Sequence, residues 1–147
     1  MLHYGQMAKN TTTTDTLGSL HLFSGLSKKD LSAISRLMTL VTVKAGSELI
    51  KEGSVGREAF IIVEGTASVW RKGRLVASVG TGAMVGEMAL LGGTPRSASV
   101  RAETDLAVEV LNRSEFEQLL DQTPGLARKL LTATIARIHE LEPNLLG

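Results

Sequence analysis

The sequence predicts an α+β fold, in which a β-roll of the double-stranded jelly-roll kind is flanked by an N-terminal helix and by C-terminal helices. Three observations lead to this prediction. Apolar residues recur at helical spacing before residue 39 and after residue 112, whereas short β-type runs lie between. Seven of the 15 glycines punctuate those runs, as tight turns between strands require. The length of 147 residues suits one domain with its own core.

The N-terminal region divides into two predicted parts. Residues 1–16 are polar and threonine-rich, and they predict a disordered leader. Residues 17–39 form the N-terminal helical part, with helical character from Leu17 to Leu37. Within it Ser27 is the predicted N-cap, and Asp30 follows as the acidic capping partner. The domain is therefore expected to begin at Leu17 and to run to residue 142.

Residues 40–111 carry the predicted β-roll. The strand candidates are short runs of β-branched and other apolar residues separated by glycine. They include Val41–Val43, Leu49–Ile50, Phe60–Val63, Ala67–Val69, Leu75–Val76, Val100 and Leu106–Leu111. One helical turn, Glu87–Leu91, interrupts the roll.

Residues 112–142 are predicted to form the C-terminal hinge and lid helices, followed by a tail over 143–147. Asn112 or Ser114 caps the first helix, and Pro124 opens a longer one that Pro143 ends. The longer helix carries one apolar stripe: Ala127, Leu131, Thr134, Ile138 and Leu141. This stripe predicts a docking face against the roll, or a dimer seam, and the sequence leaves both open.

Composition excludes several function classes. The chain has no cysteine, so disulfides, thiolate catalysis and cysteine-ligated clusters are absent. The net charge is +1 without a basic block, which disfavours a nucleic-acid-binding protein. No apolar run reaches transmembrane length, and we expect a cytoplasmic protein. The three histidines lie outside the roll, so a cupin-like metalloenzyme is disfavoured, and neither an enzyme nor a cofactor is expected.

The stretch from Gly86 to Ala98 combines groups that suit a small anionic ligand. Gly86 permits close approach of the backbone, and the turn that begins at Glu87 presents N–H groups at its start. Arg96 can bind a phosphate in a bidentate way. Glu87 only accepts hydrogen bonds, so it suits a sugar hydroxyl. The alternative is a structural salt bridge between Glu87 and Arg96.

At these residues the sequence resembles the cyclic-nucleotide-binding domain family, which includes bacterial catabolite activators, protein-kinase regulatory subunits and cyclic-nucleotide-gated channels. The resemblance extends from about Leu20 to Leu141. It rests on Phe23–Leu26, Ala45–Gly46, Glu52–Gly53, Val63–Gly65, Gly80–Gly82 and, above all, Val85–Val100.

The resemblance implies a role for each matching residue. Glu87 would bind the ribose 2′-hydroxyl, and Arg96 would pair with the cyclic phosphate. Backbone N–H groups of Gly86, Met88, Ala89 and Ala98 would donate to ribose or phosphate, and Ser97 would contact phosphate or base. Val69 and Met88 would pack on the base. Arg137 would cap the base from the lid helix, with a solvated helix position as its alternative.

The resemblance thus implies a regulatory module that binds a cyclic nucleotide and closes its C-terminal helix over it. Cyclic AMP is favoured over cyclic GMP, because Ser97 lacks the methyl group of the threonine that favours cyclic GMP in the family. The alternatives are a cyclic-GMP receptor and a degenerate roll that binds no nucleotide. No helix-turn-helix follows Pro143, so we expect no DNA binding by this chain alone. A protein effector in trans and a homodimer through the C-terminal helix are the expected partners.

Overall fold

The computed structural model describes the backbone of residues 14–141 and the side chains of residues 16–136. The helices are α1 (Thr14–Ser19), a 3-10 helix (His21–Phe23), α2 (Lys28–Ser35), α3 (Glu87–Gly92), α4 (Arg113–Gln122) and α5 (Leu126–Leu141). The strands are β1 (Thr39–Val43), β2 (Glu48–Ile50), β3 (Glu58–Glu64), β4 (Ala67–Arg71), β5 (Arg74–Val79), β6 (Met84–Val85), β7 (Ser99–Ala102) and β8 (Leu106–Asn112).

Two antiparallel four-stranded sheets form the roll. One sheet has the strand order β1-β8-β3-β6, and the other has the order β2-β7-β4-β5. Helix α3 is inserted between β6 and β7. The predicted class, a β-roll flanked by helices with a short helix inside it, is therefore confirmed. The first sheet carries the start of α3 on its edge strand β6, and the second receives the chain that returns from α3.

The core has two apolar clusters, one on each face of the first sheet. Phe60 and Ile62 of β3 point between the sheets, where they meet Val100 and Val108. Ile61 of β3 points the other way, into a cluster formed with the helices. Because β3 is buried on both faces, its sequence is a continuous apolar run instead of an alternating one. This explains the unbroken run Phe60–Val63.

The N-terminal helical part is segmented and begins earlier than predicted. Of the predicted leader, residues 1–13 lie outside the described residues, but α1 already begins at Thr14. Leu17 is fully buried in the helical cluster, and the turn of helix around it places it there. The chain then breaks at Gly25, whose φ is +84°, so 17–37 is not one helix. Ser27 accepts a hydrogen bond from the N–H of Asp30, which confirms the predicted N-cap.

The C-terminal helices differ from the prediction in one start and one face. Asn112 caps α4 through a reciprocal capping box with Glu115, which confirms one of the two predicted caps. Helix α5 begins at Leu126 and not at Pro124, because Gly125 adopts φ +85° between them. The tail over 143–147 lies outside the described residues.

The face of α5 that packs is not the predicted stripe. Leu126 and Leu130 are buried against the N-terminal helices, whereas Leu131 is 61% exposed. Beside them the Nζ of Lys129 donates to the carbonyl of His21 at 3.1 Å and to Oγ of Ser24 at 2.9 Å. The predicted docking face is thus wrong by one residue in phase, because α5 has leucines on two adjacent faces. The stripe residues Ile138 and Leu141 have side chains outside the described part.

Candidate functional site

Helix α3 begins on the edge of the first sheet. Strand β6 pairs with β3 through Val85 and Phe60, and the chain enters α3 directly after it. The N-cap residue is Gly86, in the left-handed region with φ +85°. A Cβ at Gly86 would lie 2.6 Å from Nη1 of Arg96 and 3.0 Å from the carbonyl oxygen of Glu58. Both the backbone conformation and the space therefore require glycine at the start of this helix.

Arg96 reaches back across the site to the start of α3. Its Nη1 donates to the carbonyl of Gly86 at 2.8 Å, and its Nη2 donates to the carbonyl of Glu58 at 2.7 Å. The guanidinium carbon lies 6.0 Å from the centre of the Phe60 ring, and the residue is 8% exposed. Two backbone carbonyls thus fix the plane of a fork that can bind an oxyanion through parallel N–H groups.

The main chain of Arg96 is held by the loop between β2 and β3. Its N–H donates to the carbonyl of Ser54, and its carbonyl accepts from the N–H of Gly53, both at 2.8 Å. The side chain bonds to Glu58, at the end of the same loop. The β2–β3 loop, residues 51–57, therefore holds the backbone of Arg96, and the first residue of β3 holds its guanidinium.

Glu87 is the first residue of α3 and is 3% exposed. Five polar or charged residues of the described chain are buried: Ser68, Glu87, Arg96, Glu109 and Thr123. Two of these five lie in the stretch from Gly86 to Ala98: Glu87 directly follows Gly86, and Arg96 donates to the carbonyl of Gly86. Burying charged groups is costly unless they are paired or hydrogen-bonded, so this concentration marks a site and not a solvated surface.

The other predicted site residues are spread around this centre. Ala89 is buried on α3, Ala98 is half-buried and Ser97 is exposed where the chain returns to β7. Met88 is 48% exposed. Val69 lies on β4, half-buried against the cluster between the sheets. The structure therefore brings Gly86, Glu87, Ala89 and Arg96 together, with Val69 on an inner wall. The side chain of Arg137 lies outside the described residues.

An open apolar groove separates α3 from the C-terminal helices. The volume of this groove is about 440 Å³. Its walls come from α3 on one side and from α4 and α5 on the other: Glu87, Met88, Leu91, Leu120, Ala127, Leu130, Leu131 and Thr134. Met88 and Leu131, which are both substantially exposed, face this groove. The helix that the sequence predicts as a lid thus stands beside α3 with exposed apolar side chains between them.

Sequence reasoning missed the residues that place Arg96. Gly56 was interpreted only as punctuation between strands, yet it lies against Ala89 and the guanidinium of Arg96. The carbonyl of Glu58 and the ring of Phe60 complete the setting. The only signal in the sequence was a second glycine, Gly56, three residues after Gly53. The contact itself joins residues 40 positions apart, which no local pattern reveals.

Two further properties concern the described residues only. No group of three or more histidine, aspartate and glutamate side chains among them is arranged to hold a metal ion. Within the same residues, no helix combines the length and the apolar character needed to cross a bilayer.

The sequence model of the family described as "Cyclic nucleotide-binding domain" matches residues 40–123, more than half of the chain. The chain belongs to this family. The match covers the roll from the second residue of β1, together with α3, Arg96 and α4. The fold is accordingly that of a cyclic-nucleotide-binding regulatory domain. This confirms the resemblance to the family and the prediction that the domain is of the kind that binds cyclic nucleotides.

Similar proteins include one curated protein and two solved structures, and this chain spans only a small part of the curated protein. The cGMP-dependent protein kinase egl-4 of Caenorhabditis elegans is 36% identical over 103 residues, which are 70% of this chain and 13% of the kinase. A cyclic nucleotide-binding domain from Methylobacillus flagellatus KT has a TM-score of 0.73 and 30% identity, covering 91% of this chain and 80% of its own. PKAR CBD2 bound to Sp-2Cl-cAMPS has a TM-score of 0.76 with 23% identity, over 87% of this chain and 88% of that one, and shows the shared fold.

Proposed function

We propose that this chain is a cyclic-AMP receptor module, in which Arg96 binds the cyclic phosphate and Glu87 binds the ribose 2′-hydroxyl. The observation that carries the proposal is the fixed guanidinium of Arg96, 2.8 Å from the carbonyl that precedes the buried Glu87. The guanidinium that bonds to the Gly86 carbonyl, together with the buried carboxylate of the next residue, matches a ligand with an anionic ring and an adjacent hydroxyl. A bound cyclic nucleotide would account for the burial of both charged side chains at the start of α3.

The remaining contacts complete the proposed ligand site. Backbone N–H groups of Gly86, Met88, Ala89 and Ala98 donate to the ribose and the phosphate, and Ser97 donates from the segment that leads to β7. Val69 supports the base from the inner wall of the roll, where it packs beside the inter-sheet cluster. Arg137 of α5 caps the base from the other side. Met88, which faces the groove, contacts the base only at the side nearest α5.

Closure of α5 is the proposed response to the ligand. In this structure α5 packs on the 3-10 helix through Leu126, Leu130 and Lys129, and the groove between α5 and α3 is open. Movement of α5 toward α3 would bury Leu131 and Met88 together and bring Arg137 over the base. The ligand shifts the population toward this arrangement only to the extent that it binds the closed arrangement more tightly.

Cyclic GMP is the alternative ligand, and one comparison favours it. The kinase egl-4 of Caenorhabditis elegans is named as cGMP-dependent, whereas PKAR CBD2 is bound to the cyclic-AMP analogue Sp-2Cl-cAMPS. We retain cyclic AMP because position 97 is serine and lacks the methyl group of threonine. Calorimetric titration of both nucleotides decides between them, and a tighter Kd for cyclic GMP would reverse the assignment.

Replacement of Arg96 tests the phosphate site directly. Loss of one partner of a desolvated charge pair costs about 2–4 kcal/mol, so Arg96→Ala should weaken cyclic-AMP binding by about 30-fold to 1,000-fold. Isothermal titration of the purified chain measures this change. The matched control is Arg74→Ala, which removes an exposed arginine from the β4–β5 hairpin.

An Arg96→Ala effect below about 0.5 kcal/mol, the size found for exposed ion pairs, would contradict the role of Arg96. Absence of any nucleotide binding by the wild-type chain would contradict the proposed function as a whole and favour the degenerate roll.

The partners remain proposals that follow from the same function. We expect a protein effector in trans to detect the position of α5, and a cytoplasmic location where cyclic nucleotides are made and degraded. A homodimer through α5 is compatible with the exposure of Leu131. We expect no sequence-specific DNA binding by this chain alone, and a gel-shift assay with random and genomic fragments tests that expectation.

A further inference from the structure

Gly56 has no conformational reason to be glycine. Nine glycines of the described chain adopt a positive φ, and Gly56 is not among them. An alanine could therefore adopt its backbone conformation without strain. What glycine provides at this position is space, and the atoms that occupy that space belong to the proposed ligand site.

A side chain at Gly56 would collide with two groups of the site. Its Cβ would overlap the Cβ of Ala89 on α3, and it would lie 3.1 Å from Nε and 3.2 Å from Cζ of Arg96. The guanidinium is the end of a flexible side chain and can yield, but Ala89 is fixed to the helix backbone. The collision would therefore push α3 away from the β2–β3 loop. The N–H groups at the start of α3 would move with the helix.

The loop that carries Gly56 cannot easily move away instead. Ser54 and Gly53 are bonded to the main chain of Arg96, and the carbonyl of Glu58 is bonded to its guanidinium. Gly56 thus sits inside a closed chain of contacts that runs from the loop to Arg96, from Arg96 to Gly86, and back through α3 to the loop. Any widening at Gly56 changes the distance between Arg96 and α3.

We propose that Gly56 is a positioning residue of the cyclic-nucleotide site: its missing side chain lets α3 lie against the β2–β3 loop and so sets the distance between the guanidinium of Arg96 and the N–H groups of α3. This inference rests on the proposed function. It adds that the loop before β3, and not only the stretch from Gly86 to Ala98, determines affinity for the cyclic phosphate.

A double-mutant cycle between Gly56 and Ala89 tests the proposal. Gly56→Ala should weaken cyclic-AMP binding by about tenfold or more, as expected for an overpacked contact. In the presence of Ala89→Gly, which removes the colliding Cβ, the same Gly56→Ala change should weaken binding by less than about threefold. The control is Gly80→Ala, whose Cβ would have its nearest neighbour at 3.8 Å. It should leave binding unchanged.

Thermal unfolding separates positioning from general stability. Glycine lowers helix stability, so the double variant should have a lower Tm than the wild-type chain although it recovers the binding of the Ala89→Gly variant. Binding that follows the Tm across all four proteins would overturn the proposal. So would wild-type affinity in Gly56→Ala, or a double variant that binds as weakly as Gly56→Ala.

Two further outcomes concern a variant that does not fold and a wild-type chain that binds no cyclic nucleotide. If Gly56→Ala does not fold, the double variant decides alone: binding at the level of Ala89→Gly supports the proposal, and failure to fold overturns it. If the wild-type chain binds neither cyclic AMP nor cyclic GMP, the proposed function fails, which the wild-type titration reports before any variant is compared.

Discussion

At the residue scale, the site depends on where backbone carbonyls lie. The carbonyls of Gly86 and Glu58 both accept from Arg96, and each belongs to a segment fixed by the central strand β3. Gly86 pairs with no strand itself, but it directly follows Val85, which pairs with Phe60. The position of one guanidinium is therefore set by the register of the sheet.

Substitution of Gly86 should damage stability and binding together. Gly86→Ala adds left-handed strain and a collision with Nη1 of Arg96, at 2.6 Å, and with the carbonyl of Glu58. The expected loss in the free energy of unfolding is about 2–4 kcal/mol, from strain and overpacking combined. Urea unfolding measures it, and cyclic-AMP titration should show a parallel loss of affinity.

The control for that experiment is Gly46→Ala, which has φ +88° and no atom within 4 Å of its added Cβ. It isolates left-handed strain, expected to cost about 1–2 kcal/mol. Equal losses for the two variants would mean that the contact with Arg96 contributes nothing measurable at Gly86.

At the element scale, capping was the most predictable feature. Ser27 was predicted as a cap, and Asn112 was one of two predicted caps beside Ser114; both accept from the N–H three residues later. Such bonds connect near neighbours in the chain, so the sequence contains all the information that they need. The boundaries of α4 and β8 follow from the same residue, Asn112.

Removal of this cap should loosen α4 without altering the site. Asn112→Ala deletes the side-chain oxygen that accepts from the N–H of Glu115. The other bond of the capping box, from the N–H of residue 112 to the carboxylate of Glu115, can still form. We expect a loss of about 1 kcal/mol in the free energy of unfolding, measured in urea. Asn112→Asp preserves the acceptor and should remain within a few tenths of wild type, and a full loss in that variant would contradict the capping interpretation.

Helix α5 shows why the remaining elements were harder to predict. Leucines at 126 and 130 and at 131 give it two adjacent apolar faces, so periodicity alone cannot select the one that packs. The selection is made by the N-terminal helices, more than a hundred residues away, where Lys129 also binds. Gly56 was missed for the same reason. Its contact with Arg96 exists only once the roll has formed.

At the scale of the whole molecule, each of the two apolar clusters stabilises a different part of the fold. The cluster between the sheets holds the roll, and the cluster with the helices holds α1, α2, α4 and the first half of α5. The exposed apolar side chains of α3 and α5 belong to neither cluster: Met88, Leu91, Leu131 and Ile135. Met88, Leu91 and Leu131 line the groove between α3 and the C-terminal helices, an exposed apolar surface on which a partner can pack.

A homodimer through this surface should be sensitive to charge. Leu131→Glu places a carboxylate at a position that is 61% exposed, so the monomer fold should tolerate it. If α5 forms the seam, light scattering after size-exclusion chromatography should show a halved mass for this variant. The control is Thr132→Glu, which adds the same charge at a neighbouring exposed position outside the predicted stripe. It should leave the mass unchanged. A wild-type chain that elutes as a monomer at high concentration would refute the dimer.

The two hydrogen bonds that hold the guanidinium of Arg96 also affect the rate at which a ligand binds. A long side chain that is already fixed by the fold loses little further freedom when it binds an anion, so its ordering is not a step in the encounter. Association should then be governed by access past α3, and related nucleotides should arrive at similar rates. Their differences in affinity should appear mainly in how long each complex lasts.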